Sequence, residues 1–197
     1  MNTITSGNAE IDEKFGNFAP GQLYVFAGRP MMGKMPFMLN IASRCSADVP
    51  ALVFNLDLSK ETLRKKYNTG FSDVFDDSNL LTETEFSRLF SQKKYALVVL
   101  NYLQLLPSDK KIDFSFFKKM AQRNNTCIVL ILQLDITCEK RHDSRPTLAD
   151  VRLMVDDDKQ LVQHTDGIIG VFNRIRASKY TAEELKMIEL TRLLTNK

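Results

Sequence analysis

Five short runs of the chain are apolar almost without interruption: Leu23–Ala27, Ala51–Leu56, Ala96–Leu100, Cys127–Leu132 and Gly167–Phe172. None alternates polar with apolar, so each predicts a strand buried on both faces. The segments between them read as helices. Pro36–Ser46 carries Pro in its first turn, where it is tolerated. Ser59 is a candidate N-cap for a helix reaching about Thr69. Thr82-Glu83-Thr84-Glu85 has the form of a capping box and opens a helix to about Gln92. Asp113–Asn124 reads as a helix, and Thr147 opens another over Leu148–Val155. Residues 1–22 are polar and turn-rich, ending in Pro20-Gly21, a turn signal that launches the first strand. Gly70–Leu81 and residues 135–146 read as loops. Thr181–Leu185 reads as a helical turn and Met187–Leu190 as a last strand. Strands alternating with helices predict an α/β domain on a mostly parallel sheet covered on both faces.

Composition narrows this picture without redirecting it. A chain of 197 residues suits one domain, residues 1–197, with 1–22 as a polar lead-in. Hydrophobic content of 44% and charged content of 26% describe a globular protein with no membrane partner. No apolar run approaches the length of a membrane span, and the opening MNTITSGNAEIDEKF has neither part of a signal peptide. Cys45, Cys127 and Cys138 are scattered and lack metal-ligand spacing, which fits a reducing, cytoplasmic setting. A net charge of +3 permits nucleic-acid binding without arguing for it.

The candidate chemistry starts where the first strand ends. Gly28-Arg29-Pro30-Met31-Met32-Gly33-Lys34 has the spacing of a phosphate loop, with a strand before it and a helix after it. Its backbone N–H groups, the helix N-terminus and Lys34 would favour an anion. The next position should offer a Mg²⁺-binding hydroxyl and instead is Met35. In a parallel sheet, ligands sit outside the carboxyl ends of the strands. Those ends carry Gly28, Asp57, Asn101 and Gln133, so the polar strand-end residues are expected to converge on the loop. Each has an ordinary reading too: a glycine turn with an exposed lysine, and polar caps on buried strands. Met31, Met32, Met35 and Met38 read as apolar filling. Lys140, Arg141, Arg145 and Arg152 form a basic stretch, by default a solvated loop. His142 and His164 carry no metal spacing.

With these residues in view, the chain resembles the C-terminal, RecA-like ATPase domain of DnaB-type replicative helicases. Gly28 to Lys34 resembles that family's ARPSMGKT loop, and Asn40-Ile41-Ala42 its following helix. Phe54-Asn55-Leu56-Asp57-Leu58-Ser59 resembles FSLEMS, whose Glu is the catalytic base. Leu100-Asn101-Tyr102-Leu103-Gln104-Leu105 resembles IDYLQL, whose Asp stands behind Mg²⁺. Leu132-Gln133-Leu134 resembles SQL, whose Gln senses the γ-phosphate. Arg145-Pro146-Thr147-Leu148-Ala149-Asp150-Val151-Arg152 resembles RPMLSDLR, part of a DNA-facing loop and helix, and Gln163 to Ile168 resembles EQDADVV. The likeness runs from about Ser6 to about Phe172.

The resemblance implies a RecA-like P-loop fold, ATP and Mg²⁺ as cofactors, single-stranded DNA as partner and a place in DNA replication. The departures from it are specific. Met35 replaces the metal's hydroxyl, Asp57 shortens the base, and Asn101 replaces the metal-shell carboxylate. Pro36 removes an N–H that would reach the α-phosphate. The Asp57–Asn101 interval and the stretch after Leu106 are short, no clear Lys-x-Arg occurs near Thr191-Arg192, and no stretch corresponds to the helicases' N-terminal domain. The resemblance places the chain with a phage or mobile element, and these departures lead us to expect a degenerate member. It would bind nucleotide or anion weakly and without metal, hydrolyse ATP weakly or not at all, and form a monomer or small oligomer. The alternative expectation is a non-enzymatic module that binds a replication protein or single-stranded DNA.

Overall fold

A computed structural model of the protein describes residues 3–67, 69–70, 72–77, 82–105, 113–137, 141–173 and 188–195. Seven strands form one sheet: β1 Leu23–Gly28, β2 Ala51–Asn55, β3 Asp73–Phe75, β4 Leu97–Asn101, β5 Cys127–Gln133, β6 Gly167–Phe172 and β7 Glu189–Thr195. Their order is β3-β2-β4-β5-β1-β6-β7. Every neighbouring pair is parallel except β6 with β7. The apolar runs are the five central strands, as their lack of alternation predicts. Successive residues then face opposite layers. Val129 and Ile131 of β5 enter one core with Phe26, Val53 and Val99. Ile128, Leu130 and Leu132 enter the other with Val25, Phe54 and Val98.

Helices cover both layers: α1 Ala9–Phe15, α2 Lys34–Ala42, α3 Lys60–Lys66, α4 Glu83–Gln92, α5 Phe114–Asn124, α6 Leu148–Arg152 and α7 Asp158–His164. The cap signals hold at their starts. Ser59 accepts from the Thr62 N–H, Asp113 from the Phe116 N–H, and Thr147 forms a capping box with Asp150. Thr82 accepts from the Glu85 N–H, while the Glu85 carboxylate pairs with Arg88 at 2.8 Å.

Four elements depart from the sequence pattern. Residues 1–22 are not merely a lead-in. They hold α1 and a bridge between Ile4 and Phe18, and Ile11 and Phe18 are buried in the core. The Gly70–Leu81 loop contains β3, three residues paired along β2 and too short to leave a periodic signal. The segment after Val155 contains α7, capped by Asp157. The last strand begins at Glu189 and runs on to Thr195, because an edge strand tolerates the polar Thr191-Arg192 pair. The helical turn expected over 181–185 lies outside the described residues.

At the amino edge, Asp166 ties three elements together. Its carboxylate accepts from the Leu23 N–H at 2.7 Å and pairs with Lys118 of α5 at 2.6 Å. Lys118 also donates to the Gly21 carbonyl at 2.9 Å. This leaves the carboxyl edge as the open one. There Gly28 lies in register with Gln133, and Asn55 with Asn101.

Candidate functional site

The loop leaving β1 is shaped by two close constraints. A Cβ on Gly28 would lie 2.6 Å from the Val171 carbonyl oxygen, so only glycine lets the end of β6 pass. Met31 and Gly33 then take left-handed conformations, φ 59° and 78°, and Gly33 becomes the N-cap of α2. Gly28→Ala is expected to destabilise the domain by about 1–3 kcal/mol, because the contact is with backbone that cannot rotate away. Urea denaturation midpoints measure this, and an unchanged midpoint would contradict the close approach.

Lys34 is not an exposed lysine on a turn. It is 2% exposed, and its Nζ donates to the Gly28 and Arg29 carbonyls at 2.6 Å each. Burial, helped by the neighbouring Arg29 charge, pushes its pKa down to about 7. The ammonium also lies 5.4 Å from the centre of the Tyr102 ring. Arg29 is buried as well, over Phe172 at the end of β6 at 5.8 Å. The methionines divide. Met32, Met35 and Met38 are buried, and the Met32 sulfur accepts from the Asn173 N–H at 3.3 Å. Met31 is exposed, as is Pro30.

Opposite the loop stands a chain of amides. The Asn55 Nδ2 donates to the Leu58 carbonyl at 2.7 Å, and the Asn101 Nδ2 donates to the Asn55 Oδ1 at 2.6 Å. The direction of this chain is fixed at its far end. Leu58 offers only an acceptor, so Asn55 must give it the NH₂, and Asn101 must give its own NH₂ to Asn55. The Asn101 Oδ1 is left buried without a hydrogen-bond partner among the described residues. The Asn101–Tyr102 peptide bond is cis.

Lys34, Met35, Asn55, Asp57, Asn101 and Tyr102 line one cleft of about 260 Å³, which Lys66 and Tyr67 border from the end of α3. The structure therefore brings Lys34, Asp57 and Asn101 together, as the strand ends imply. Asp57 is exposed at the rim, and Tyr102 has its pKa raised to about 12 by burial and by the Asp57 charge. Gln133 lies elsewhere. It lines an adjoining cleft of about 280 Å³ with Pro30, Gln104 and Leu105, and Tyr102 borders both spaces. The Gln104 side chain clasps the Gln133 backbone, donating to its carbonyl at 2.5 Å and accepting from its N–H at 3.2 Å.

The basic residues are engaged within the fold. Arg141 forms a fork on Asp150, at 2.5 and 2.7 Å, and holds that carboxyl below its usual range. Arg145 donates to Glu189 of β7 at 2.7 and 2.9 Å and lies over Phe172 at 5.4 Å. Arg152 faces Asp158 at 3.6 Å. Lys140 lies outside the described residues. Cys45 and Cys127 are buried thiols, the former raised to about 11 by burial and the latter higher still. Among the described residues no group of three or more His, Cys, Asp or Glu is placed to hold a metal, and no helix is long and apolar enough to cross a membrane.

The family model described as "DnaB-like helicase C terminal domain" matches residues 3–82 and 74–192. The chain belongs to this family. Among curated relatives, the replicative DNA helicase DnaB of Buchnera aphidicola subsp. Baizongia pistaciae is 25% identical over 218 residues, covering 86% of this chain and 46% of its own length. A probable replicative DNA helicase of Trieres chinensis is 28% identical over 210 residues, covering 81% and 46%. The chain thus spans about half the length of the curated relatives it matches. Solved structures share the fold. One of them, an ATPase domain, has a TM-score of 0.72 at 21% identity, over 98% of this chain and 83% of that one. A DnaB-like replicative helicase, described with its interactions with primase, has 0.69 at 21%, over 92% and 54%. The RadB recombinase has 0.58 at 15%, over 94% and 98%. The RecA-like architecture that the resemblance implies is therefore the one observed.

Four site residues escaped the sequence reading, Tyr102 among them. Asn55 had a signal, a lone amide inside an otherwise apolar strand. Lys66 and Tyr67 had none, since only the approach of α3's end to the loop brings them to the cleft.

Proposed function

We propose that this DnaB-family domain keeps the phosphate loop as an anion site and does not hydrolyse ATP. One observation carries the reading: the positions that face the metal in a working site present a thioether and a neutral amide pair. Mg²⁺ is held by carboxylates, water and substrate phosphates in near-octahedral geometry. Here Met35 packs into the apolar core, Asn101 supplies no charge, and Asp57 is the lone carboxylate among the described residues lining the cleft. This donor set does not fit the ion. Phosphoryl transfer depends on charge neutralisation by that ion, so the domain would lack the means to drive it. Phosphate release from ATP, with and without Mg²⁺ and single-stranded DNA, tests the reading. Turnover near one per second that Lys34→Ala abolishes would overturn it.

A second reading, a cytoplasmic interaction module in DNA replication, is favoured by the adjoining cleft. Leu105 and Ile136 line it and are exposed, and Leu153 and Met31, also exposed, flank its lining residues Met154 and Pro30. Exposed apolar side chains gathered in this way suit a protein partner. A structural neighbour is described with primase, and a replication protein is the partner class we infer. Single-stranded DNA fits less well, because Arg141, Arg145 and Arg152 would each have to leave an ion pair to reach a phosphate. Any such binding is expected to be weak and sequence-independent. The slope of log affinity against log salt should be no steeper than about −1.5, or about two phosphate contacts. Fluorescence anisotropy across a salt series measures it, and tight binding with a markedly steeper salt slope would contradict the assignment of those arginines.

A further inference from the structure

Resting on the reading that the loop keeps its anion site, we propose that the cleft takes a phosphate chain without metal, with Lys66 supplying the positive charge that a metal ion would otherwise bring. The loop and the amino end of α2 form one wall, with Lys34 at its base. Lys66, at the carboxyl end of α3, lines the same cleft. It makes no ion pair among the described residues, and its Nζ rests 5.4 Å from the centre of the Tyr67 ring. Two lysines thus border the cleft from different elements, against Asp57, the one carboxylate among its described lining residues.

The amide chain gives the same site a second feature. In a metal-bearing site, a carboxylate at position 101 acts through the cation. Without the cation it would repel a phosphate across a short, poorly screened gap. Asn101 removes that repulsion. Its Oδ1, buried and lacking a partner among the described residues, is positioned to accept from a donor in the cleft. A water on the phosphate or a protonated phosphate oxygen supplies such a donor. Met35 and Asn101 therefore serve one end: they dismiss the metal and make its absence tolerable to an anion.

The probe is inorganic tripolyphosphate, with ATP beside it, titrated into the full chain by calorimetry in EDTA and again in excess Mg²⁺. The expected dissociation constants in EDTA are no weaker than in Mg²⁺. Lys66→Gln is expected to weaken tripolyphosphate binding about tenfold, the scale of one charge-assisted hydrogen bond. Asn101→Asp is expected to weaken it at least as much in EDTA. Lys65→Gln, one residue away on α3 and paired with Glu61, serves as the control that leaves binding unchanged. Thermal denaturation of each variant separates loss of binding from loss of fold. Binding that requires Mg²⁺, an unchanged affinity in a folded Lys66→Gln protein, or no binding at millimolar tripolyphosphate would each overturn the proposal. None of these results is ATP turnover, so the non-hydrolysing reading stands or falls separately.

Discussion

Phosphate release from ATP by this domain is expected to remain at the level of a buffer blank, whether or not Mg²⁺ and single-stranded DNA are present. Three deficits act on one constellation. On the proposed reading, Met35 offers a metal no hydroxyl, Asn101 offers it no charge, and a base at Asp57 would be a methylene short of glutamate. General-base catalysis alone is worth about 10²–10⁴-fold, and a displacement near 1 Å can cost about 10²-fold. Groups that act as a unit do not add, so the sum is no guide, but any one loss is severe. The structure also predicts which changes bring the metal back. Met35→Thr, Asp57→Glu and Asn101→Asp are insufficient together, because a carboxylate at 101 would meet the Asn55 Oδ1, now 2.6 Å from the Asn101 amide. Asn55→Ser must accompany them. The fourfold variant is expected to bind nucleotide more tightly with Mg²⁺ than with EDTA, at least tenfold by calorimetry. Equal affinities in the two buffers would refute this account of the site.

The second large effect concerns stability and pH. Lys34 carries a pKa near 7 in the folded protein against an ordinary 10.5. Between these values the unfolded chain binds the extra proton, so stability rises with pH. Below pH 7 both states hold the proton, and the penalty for burying it is full and constant. Over the two pH units from 7 to 9 the change is at most about 3 kcal/mol. It will be smaller to the extent that the Gly28 and Arg29 carbonyls, at 2.6 Å, hold the charge in place. Lys34→Met removes this component. Urea denaturation of both proteins at pH 7 and pH 9 isolates it, since other titrating groups are common to the two chains. The unmodified protein should gain on the variant as pH rises. Parallel behaviour would mean that the lysine stays charged in its buried seat.

What the sequence made legible was whatever is written locally. An apolar run, a Gly-x₄-Gly-Lys spacing and a capping Thr or Asp each declare themselves within a few residues, so the central strands, the loop and most helix starts were readable. The convergence of Lys34, Asp57 and Asn101 followed from strand direction alone. Pairings between distant residues were not readable. Nothing around Arg145 announces Glu189 on β7, so a basic stretch looked available for DNA while Arg145 closes an ion pair across the fold. Gln133 shared a sheet edge with the site, but which cleft it lines depends on Tyr102 and on the clasp by Gln104. Lys34 looked exposed because a turn glycine says nothing of a side chain folding back beneath the loop. Helix α1 was missed because it is short and mostly polar in sequence, although Ile11 is buried in the core.

The amide chain from Leu58 through Asn55 to Asn101 also bears on how such a site evolves. A serine at 55 alone would leave the Asn101 NH₂ and the Leu58 carbonyl seeking partners in a buried place. An aspartate at 101 alone would set two acceptor oxygens against each other. Each buried mismatch costs about 1–3 kcal/mol, a large part of a domain's margin. Whichever residue changes first, the route back runs through a less stable protein. A lineage that acquires both amides has passed a ratchet, and it is then free to tune the cleft for ligands that a metal-bound site excludes.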